Sequence, residues 1–236
     1  MKRTIVPELL DSDQGTPEEV QASLADLRLI NRCFGGIATT EAMLKRMLLR
    51  KAATLHTSES KHGISLLEVG AGSGDIPIAV AHKLREHVQI RVVLLDRSPV
   101  HLPQARLSNT PAVAADAFEM PLRDSSFDVV SCALLAHHFE PDEIVRFVGE
   151  ALRVARWAVL INDLRRSWMH LAAVYMGFPL FRSRLTRHDG PASVRRAYTA
   201  EELARILCRT EAQAVEIENC YLFRMGAIVW KNAPGT

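Results

Sequence analysis

The chain has 236 residues, of which 48% are hydrophobic and 24% are charged, and this balance excludes disordered and fibrous proteins. Its 29 lysines and arginines nearly match its 27 aspartates and glutamates, so the net charge of +2 argues against a protein held mainly by nucleic-acid phosphates. Four cysteines without a C-x-x-C pair indicate neither a zinc knuckle nor a dithiol redox site, and they are typical of reduced intracellular thiols.

The sequence shows neither a targeting segment nor a membrane span. The N-terminal residues lack the apolar run of a signal peptide. The most apolar stretch, Trp168–Phe181, is too short to cross a hydrocarbon layer of about 30 Å as a helix. We therefore expect a cytoplasmic protein without a transmembrane segment.

A helical arm is predicted for residues 1–60. Thr16–Glu19 forms a capping box with proline at the first helical position, and apolar residues follow at helical spacing. A second helix is predicted from Thr40, after two consecutive glycines. The polar segment 57–63 is the predicted boundary with a main domain over residues 61–236.

The main domain alternates short apolar segments with helical patterns. The predicted strands are Ile64–Val69, Ile90–Leu95, Ala112–Ala115, Phe127–Cys132 and Ala158–Asn162, and the predicted helices are Ile76–His87, Val100–Leu107 and Pro141–Val154. Two further strands, Ala214–Ile217 and Tyr221–Lys231, suit an antiparallel hairpin at one edge. The predicted fold is therefore α/β: a doubly wound, Rossmann-like, seven-stranded and mostly parallel sheet with an antiparallel C-terminal hairpin.

A glycine-rich loop follows the first predicted strand. Gly70, Gly72 and Gly74 occupy alternate positions before a helix, where the backbone must turn sharply and a ligand can approach closely. Asp96 ends the next strand, at the position where a carboxylate can accept both hydroxyls of a ribose. A dinucleotide fingerprint would need glycine where this chain has Asp75, and no Gly-Lys-Ser/Thr follows, so neither dinucleotide nor P-loop binding is indicated.

The pattern Glu68-x-Gly70-x-Gly72-x-Gly74, with Asp96 and Asp116-Ala117 after it, resembles the class I S-adenosylmethionine-dependent methyltransferase family over roughly residues 64–163. The resemblance implies S-adenosyl-L-methionine as cofactor and S-adenosyl-L-homocysteine as product. It implies that the glycine loop follows the methionine half, that Asp96 binds the ribose and that Asp116 reads the adenine. The implied cofactor contacts are Glu68, Gly70, Ala71, Gly72, Gly74, Asp96, Arg97, Asp116, Ala117, Phe118 and Ala133.

Two histidines and an aspartate are candidate catalytic residues. His137 and His138 follow the fourth predicted strand and Asp163 follows the fifth, so all three belong to the edge that carries the glycine loop. Imidazole is the usual proton acceptor near neutral pH, and a carboxylate can orient it. Paired histidines after the fourth strand, with an acid after the fifth, also resemble the pattern of small-molecule O-methyltransferases. This resemblance implies that a histidine acts as the base. Alternatively, one histidine only packs the loop and Asp163 only holds a turn. No metal site is predicted.

Residues 164–198 are predicted to shape the substrate pocket. Trp168, Tyr175 and Tyr198 suit an apolar pocket for an aromatic acceptor, although a helix packed on the sheet explains the same apolar stripe. Five arginines between 182 and 196 suit an acidic substrate or a peripheral membrane contact, or else a solvated face.

The sequence thus predicts an enzyme that O-methylates a small hydrophobic, phenolic or polyketide-like acceptor. The alternatives are C- or N-methylation of a quinone-like or other small molecule, and a non-catalytic S-adenosylmethionine-binding protein. A nucleic-acid methyltransferase is disfavoured, because Ala133–Ala136 replaces the Asp/Asn-Pro-Pro-aromatic motif of that class. The oligomeric state is left open.

Overall fold

A twisted seven-stranded sheet forms the centre of the protein. The computed structural model describes residues 1–10, 14–54, 63–99, 102 and 110–232. The strands are β1 (Ile64–Val69), β2 (Ile90–Asp96), β3 (Ala112–Ala114), β4 (Phe127–Ala133), β5 (Ala155–Leu164), β6 (Ala214–Asn219) and β7 (Arg224–Trp230). Their order is β3-β2-β1-β4-β5-β7-β6; the first five are parallel, and β7 runs antiparallel to both β5 and β6. The predicted fold class is confirmed.

Seven helices accompany the sheet in the described part of the chain. They are α1 (Pro17–Cys33), α2 (Gly36–Thr54), α3 (Asp75–Leu84), α4 (Pro141–Val154), α5 (Trp168–Met176), α6 (Arg184–Arg196) and α7 (Ala200–Leu207), with 3₁₀ turns at Ala136–His138 and Phe178–Leu180. The capping box predicted at Thr16 forms, and a second capping box forms at Thr199. In the described residues, no helix is both long enough and apolar enough to span a bilayer.

Two predicted elements differ notably in their boundaries from the structure, and a third falls outside the described residues. Helix α2 begins at Gly36 rather than Thr40, because Gly35, at φ +82°, turns the chain directly from α1 into α2. Strand β5 is longer than predicted and includes Asp163, which had been expected just beyond the strand. The helix predicted over 100–107 lies almost wholly outside the described residues.

Side chains that alternate along the buried strands pack into two hydrophobic cores, one on each face of the sheet. On one face, Leu67 of β1 and Val130 of β4 pack with the apolar sides of α4 and α7. On the other face, Leu66 of β1 packs with α2 and α3. The fully buried Leu44 and Met47 of α2 belong to this second core. The second helix of the predicted arm therefore covers the sheet instead of forming a separate layer.

Two buried aspartates hold the N-terminal region against α6. Asp26 of α1 accepts the backbone N–H groups of Arg182 and Ser183, at 2.9 and 3.1 Å, just before α6 begins. Asp189 of α6 accepts the N–H groups of Leu9 and Leu10, at 2.8 and 3.0 Å. Charge-assisted bonds of this kind are about twice as strong as neutral ones. They fix the first ten residues beside the carboxyl ends of β4 and β5.

Asn162 of β5 joins the sheet to the start of α2. Its side chain is 1% exposed, and its amide Nδ2 donates to the carbonyl oxygen of Gly36 (2.7 Å) and to Oγ1 of Thr40 (2.8 Å). Because strand side chains alternate, Asn162 faces α2 while its neighbour Asp163 faces the opposite side.

The Asn162→Ala substitution leaves two buried acceptors without their donor, so we expect the free energy of unfolding to fall by about 1–3 kcal/mol. Urea denaturation followed by circular dichroism measures this change. Asn219→Ala, at an exposed position of β6, is the matched control and should unfold at the wild-type urea concentration. Equal midpoints for the two variants would contradict a tethering role for Asn162.

Candidate active site

A cavity of about 800 Å³ opens at the carboxyl ends of the parallel strands. It lies where the strand order reverses between β1 and β4, which is the usual ligand position in doubly wound sheets. The glycine loop and the ends of β2 and β4 line one part of the cavity, while α1, α6 and the N-terminal segment line the rest. Elements distant in sequence thus meet at a single site.

The glycine loop adopts left-handed backbone conformations that other residues rarely accept. Gly70, Gly72 and Gly74 have φ values of +65°, +51° and +73°. A Cβ at Gly70 would lie 2.8 Å from Leu135, and one at Gly74 would lie 2.5 Å from Leu94. At Gly72 such an atom would meet none of the described residues within 4 Å, which leaves that part of the loop open towards the cavity.

Asp96 ends β2 next to this loop. Its carboxylate is 8% exposed and accepts the backbone N–H groups of Gly72 (2.7 Å) and Ser98 (2.9 Å). Asp96 thus places a carboxylate, which can accept hydrogen bonds from hydroxyl groups, at the cavity wall beside the glycine loop.

Glu68 lies beneath the loop in a fully buried position. Ser131 Oγ and the N–H group of Ala133 both donate to its carboxylate, but burial prevails and raises the pKa of Glu68 to about 7. This acid can therefore exist in either protonation state near neutral pH, at the wall of a cavity predicted to hold a cationic sulfonium.

The predicted adenine contacts lie together at the β2–β3 side of the cavity. Asp116 accepts the N–H group of Phe118 at 2.8 Å. The ring of Phe118 contacts Phe139, with centroids 4.9 Å apart, and lies under the guanidinium of Arg146. Of the eleven predicted cofactor residues, the ten that line the cavity are Glu68, Gly70, Ala71, Gly72, Asp96, Arg97, Asp116, Ala117, Phe118 and Ala133; Gly74 instead caps α3.

His137 and Asp163 form a buried pair at the ends of β4 and β5. The carboxylate of Asp163 contacts both the ring Nδ1 of His137 (2.7 Å) and its backbone N–H group (2.8 Å). Nε2 lies 3.4 Å from the carboxylate of Glu8. Burial by itself would lower the pKa of His137, but the charges and hydrogen bonds of Asp163 and Glu8 outweigh it and raise that pKa to about 10.

Because this pKa lies above neutral pH, His137 is in its protonated, imidazolium form at neutral pH and does not accept a further proton. Burial would raise the pKa of Asp163, but the charge of His137 prevails and lowers it, so the aspartate is ionised. The sequence analysis proposed either histidine as the base; the geometry favours a positioning role for His137.

His138 is the more accessible histidine. Its side chain is 18% exposed at the cavity wall, its ring lies 4.2 Å from that of His137, and its Nε2 is 3.9 Å from the carboxylate of Glu8. Burial would raise the pKa of Glu8, but the two histidines outweigh this effect and lower it, so Glu8 is ionised. Ser193 of α6 donates to Glu8 at 2.8 Å.

Sequence reasoning missed Glu8, because it lies 129 positions before His137 and belongs to no recognisable motif. Tertiary contacts bring it to this edge of the sheet, among them the hydrogen bond from Ser193 and those that Asp189 accepts from the N–H groups of Leu9 and Leu10.

None of the three predicted substrate residues lines the cavity. Trp168 is 68% exposed, and the hydroxyl of Tyr175 accepts a hydrogen bond from Arg195 at the surface. Tyr198 is buried and donates to the carbonyl oxygen of Phe139 at 2.7 Å. The apolar wall is built instead by Leu24, Leu27 and Ile30 of α1 and by Val174 and Phe181. The helix that supplies most of the apolar wall is thus α1, in the predicted N-terminal arm.

Three arginines give the cavity a cationic side. Arg28, Arg196 and Arg224 line it, and each has a buried guanidinium nitrogen that finds no hydrogen-bond partner among the described residues. Burial lowers the pKa of Arg224 to about 10, against the opposing charge of Asp163. Within the 182–196 segment, Arg184 contacts Glu19, Arg187 donates to the carbonyl oxygen of Phe181, and Arg195 donates to Tyr175. The cavity therefore has groups suited to a carboxylate.

Part of the chain matches known methyltransferases. Residues 67–158 match the methyltransferase domain family. The ubiquinone/menaquinone biosynthesis C-methyltransferase of Paraburkholderia xenovorans is 27% identical over 131 residues, which cover 53% of each chain. An uncharacterized methyltransferase of Bacillus subtilis is 24% identical over 104 residues, 43% of this chain and 40% of that protein. The matches thus span about half the length of these relatives, or less.

Solved structures share the fold at low sequence identity. A SAM-dependent methyltransferase from Aquifex aeolicus superposes with a TM-score of 0.57 at 18% identity, covering 81% of this chain and 89% of that one. Magnesium protoporphyrin IX methyltransferase from Synechocystis, with bound S-adenosylhomocysteine, gives 0.54 at 12% identity over 86% and 87%. The C-methyltransferase domain of the citrinin polyketide synthase gives 0.59 at 15% identity over 82% and 51%. Together with the matched domain, the strand order and the glycine loop, these findings confirm the predicted resemblance to the class I S-adenosylmethionine-dependent methyltransferases.

Proposed function

We propose that this chain transfers a methyl group from S-adenosyl-L-methionine to a hydroxyl group of a small hydrophobic, phenolic or polyketide-like acceptor. The observation that carries the proposal is the pairing, within one cavity, of a glycine loop beside Asp96 with a cluster of imidazole and carboxylate groups at the ends of β4 and β5. The first part suits the cofactor, and the second suits a group that must lose a proton.

In this proposal the cofactor lies across the glycine loop. Asp96 accepts hydrogen bonds from the ribose hydroxyls, while Asp116 and the N–H group of Ala117 contact the adenine. The methionine half extends towards Ala133, above the buried Glu68. The positive sulfur then faces a wall that contains an acid, which offsets its charge.

The Asp96→Asn variant removes the charge but keeps one oxygen for the N–H group of Gly72. Hydrogen bonds to a charged group contribute about 1.5–3 kcal/mol, so the Kd for S-adenosylmethionine should rise roughly 10–100-fold. Isothermal titration calorimetry measures it. The matched control is Asp142→Asn, at an exposed position of α4, and its Kd should equal that of the wild type. An unchanged Kd in Asp96→Asn would remove the proposed cofactor pose.

The acceptor occupies the part of the cavity between the apolar wall of α1 and the cluster of Glu8, His137 and His138. A phenol attacks a methyl group slowly until its proton leaves, and methyl transfer otherwise requires mainly alignment of the reacting atoms. His138 faces the cavity and has the ionised Glu8 beside it, whereas His137 already carries a proton between two carboxylates. His138 is therefore our assignment for the group that receives the acceptor's proton.

The His138→Asn substitution tests this assignment. General-base catalysis typically contributes 10²–10⁴-fold, so we expect kcat to fall by about that factor while the Kd for S-adenosylmethionine stays within twofold. Turnover is measured as S-adenosylhomocysteine formed with a panel of phenols. His87→Asn, at an exposed position after α3, is the control. Full turnover in His138→Asn would exclude this histidine as the proton acceptor.

C-methylation is the second candidate, because the Paraburkholderia relative and the polyketide synthase domain are both C-methyltransferases by name. An enol or hydroquinone acceptor also loses a proton, so the same cluster would serve a carbon nucleophile. With S-adenosylmethionine labelled by ¹³C in the methyl group, the chemical shift of the product distinguishes an O–CH₃ from a C–CH₃ group. We expect the O–CH₃ signal; a product methylated only at carbon would favour the second candidate.

A further inference from the structure

A group of potential metal ligands lies at the acceptor side of the cavity. Glu8, His137 and His138 each offer one ligand atom, and these atoms all lie within 4.8 Å of one another. The carboxylate of Glu8 is 3.4 Å from Nε2 of His137 and 3.9 Å from Nε2 of His138. Ligand atoms of tetrahedral zinc are roughly 3.3 Å apart when the bonds are about 2.0 Å long. Small side-chain movements would therefore complete a coordination shell.

We propose that Glu8, His137 and His138 bind one divalent transition-metal ion, of which Zn²⁺ is the best match. Two histidines and one glutamate form a recurrent catalytic zinc site that keeps its fourth position for water or substrate. Here that open position faces the cavity, which all three residues line.

The surroundings of His137 support this site independently of the distances. Its side chain is almost wholly buried, and among the described residues Nε2 finds no hydrogen-bond partner of good geometry. The other ring nitrogen, Nδ1, is held by Asp163 at 2.7 Å. A carboxylate on the far nitrogen is the usual partner of a metal-bound histidine, because it fixes the ring and directs the lone pair of Nε2 to the metal.

Glu8 has the corresponding support. Ser193 donates to Oε1 of Glu8 at 2.8 Å, and Asp189 fixes the backbone of the next two residues. Ligating carboxylates in metal sites are commonly hydrogen-bonded in this way. The N-terminal segment is thus held in the position where it contributes a ligand.

Carboxylates contact both ring nitrogens of His137. Asp163 lies 2.7 Å from Nδ1, and Glu8 lies 3.4 Å from Nε2. Arg3 and Arg196 donate to backbone carbonyl oxygens of residues 137–139. Carboxylate oxygen and imidazole nitrogen, both ligands of zinc, therefore lie together at this edge of the cavity.

Bound there, the ion would meet the acceptor's hydroxyl and favour its ionised form, as zinc does with water. In the loaded protein His138 would be a ligand instead of the base, and the hydroxyl proton, made more acidic by the cation, would pass to solvent in the open cavity. That role rests on the proposed function, whereas the binding site itself does not.

Zinc binding is measured on the full chain without an affinity tag, after treatment with EDTA and desalting. Because Cys33 and Cys208 are exposed thiols, they are replaced in the background by Cys33→Ser and Cys208→Ser. Competition with a chromophoric chelator gives the Kd for Zn²⁺, and mass spectrometry of the desalted protein gives the metal content. We expect one zinc per chain and a Kd at least tenfold weaker in Glu8→Gln and in His138→Asn. His87→Asn, at the surface, should bind zinc as the background does.

Two further readouts keep the test decisive. Co²⁺ in the same site should show visible ligand-field absorption that His138→Asn abolishes, even if Glu8→Gln does not fold. The Kd for S-adenosylmethionine, measured in parallel, reports whether each variant is folded. Less than one zinc per chain, or an equal zinc affinity in the folded variants, would overturn the metal site. No acceptor is present in these measurements, so a failure of methyl transfer would leave this result unchanged.

Discussion

The buried contact between Asp163 and His137 is the interaction on which the acceptor side of the cavity depends. This contact joins the ends of two adjacent parallel strands, β4 and β5. The carboxylate of Asp163 accepts both the ring Nδ1–H and the backbone N–H of His137. Leaving a buried ion unpaired costs several kcal/mol of folding free energy. The carboxylate of Asp163 and the imidazolium of His137 therefore stabilise each other. The remaining ring nitrogen can then only face Glu8, and so the N-terminal segment becomes part of the site.

The two parts of the cavity use different physical means. On the cofactor side the backbone conformation shapes the site. Left-handed glycines leave space for a nucleoside, and the carboxylate of Asp96 at the end of β2 supplies a hydrogen-bond acceptor. On the acceptor side buried charges dominate, with two carboxylates, two imidazoles and three arginines around an apolar wall. Since buried charges are tolerated only when they are paired, this side is stable because α1, α6 and the first ten residues supply the partners.

The same division explains what the sequence could predict. The sheet, its alternating helices and the glycine loop are encoded by local patterns, and the predicted strand positions agree with the structure to within a few residues. The edge location of His137, His138 and Asp163 followed from the rule for parallel strands. Glu8 and Arg224 could not be found in this way, because tertiary bonds alone bring them to the cavity. Trp168 was a misleading signal: an aromatic residue near an apolar segment also suits a surface helix, and its side chain lies in solvent.

The family match covers only part of the residues that line the cavity. The matched domain, residues 67–158, contains the glycine loop, Asp96, Asp116 and both histidines, but it excludes Glu8, Arg28 and Ser193. The cavity is therefore lined in part by side chains from segments that the family match does not cover. A relative that shares the matched segment shares the means of holding the cofactor, while the apolar wall of α1 and the carboxylate of Glu8 belong to this chain's own flanking segments. The identity of the acceptor must accordingly be sought in those flanking segments, and substitutions there should change acceptor selectivity without altering cofactor affinity.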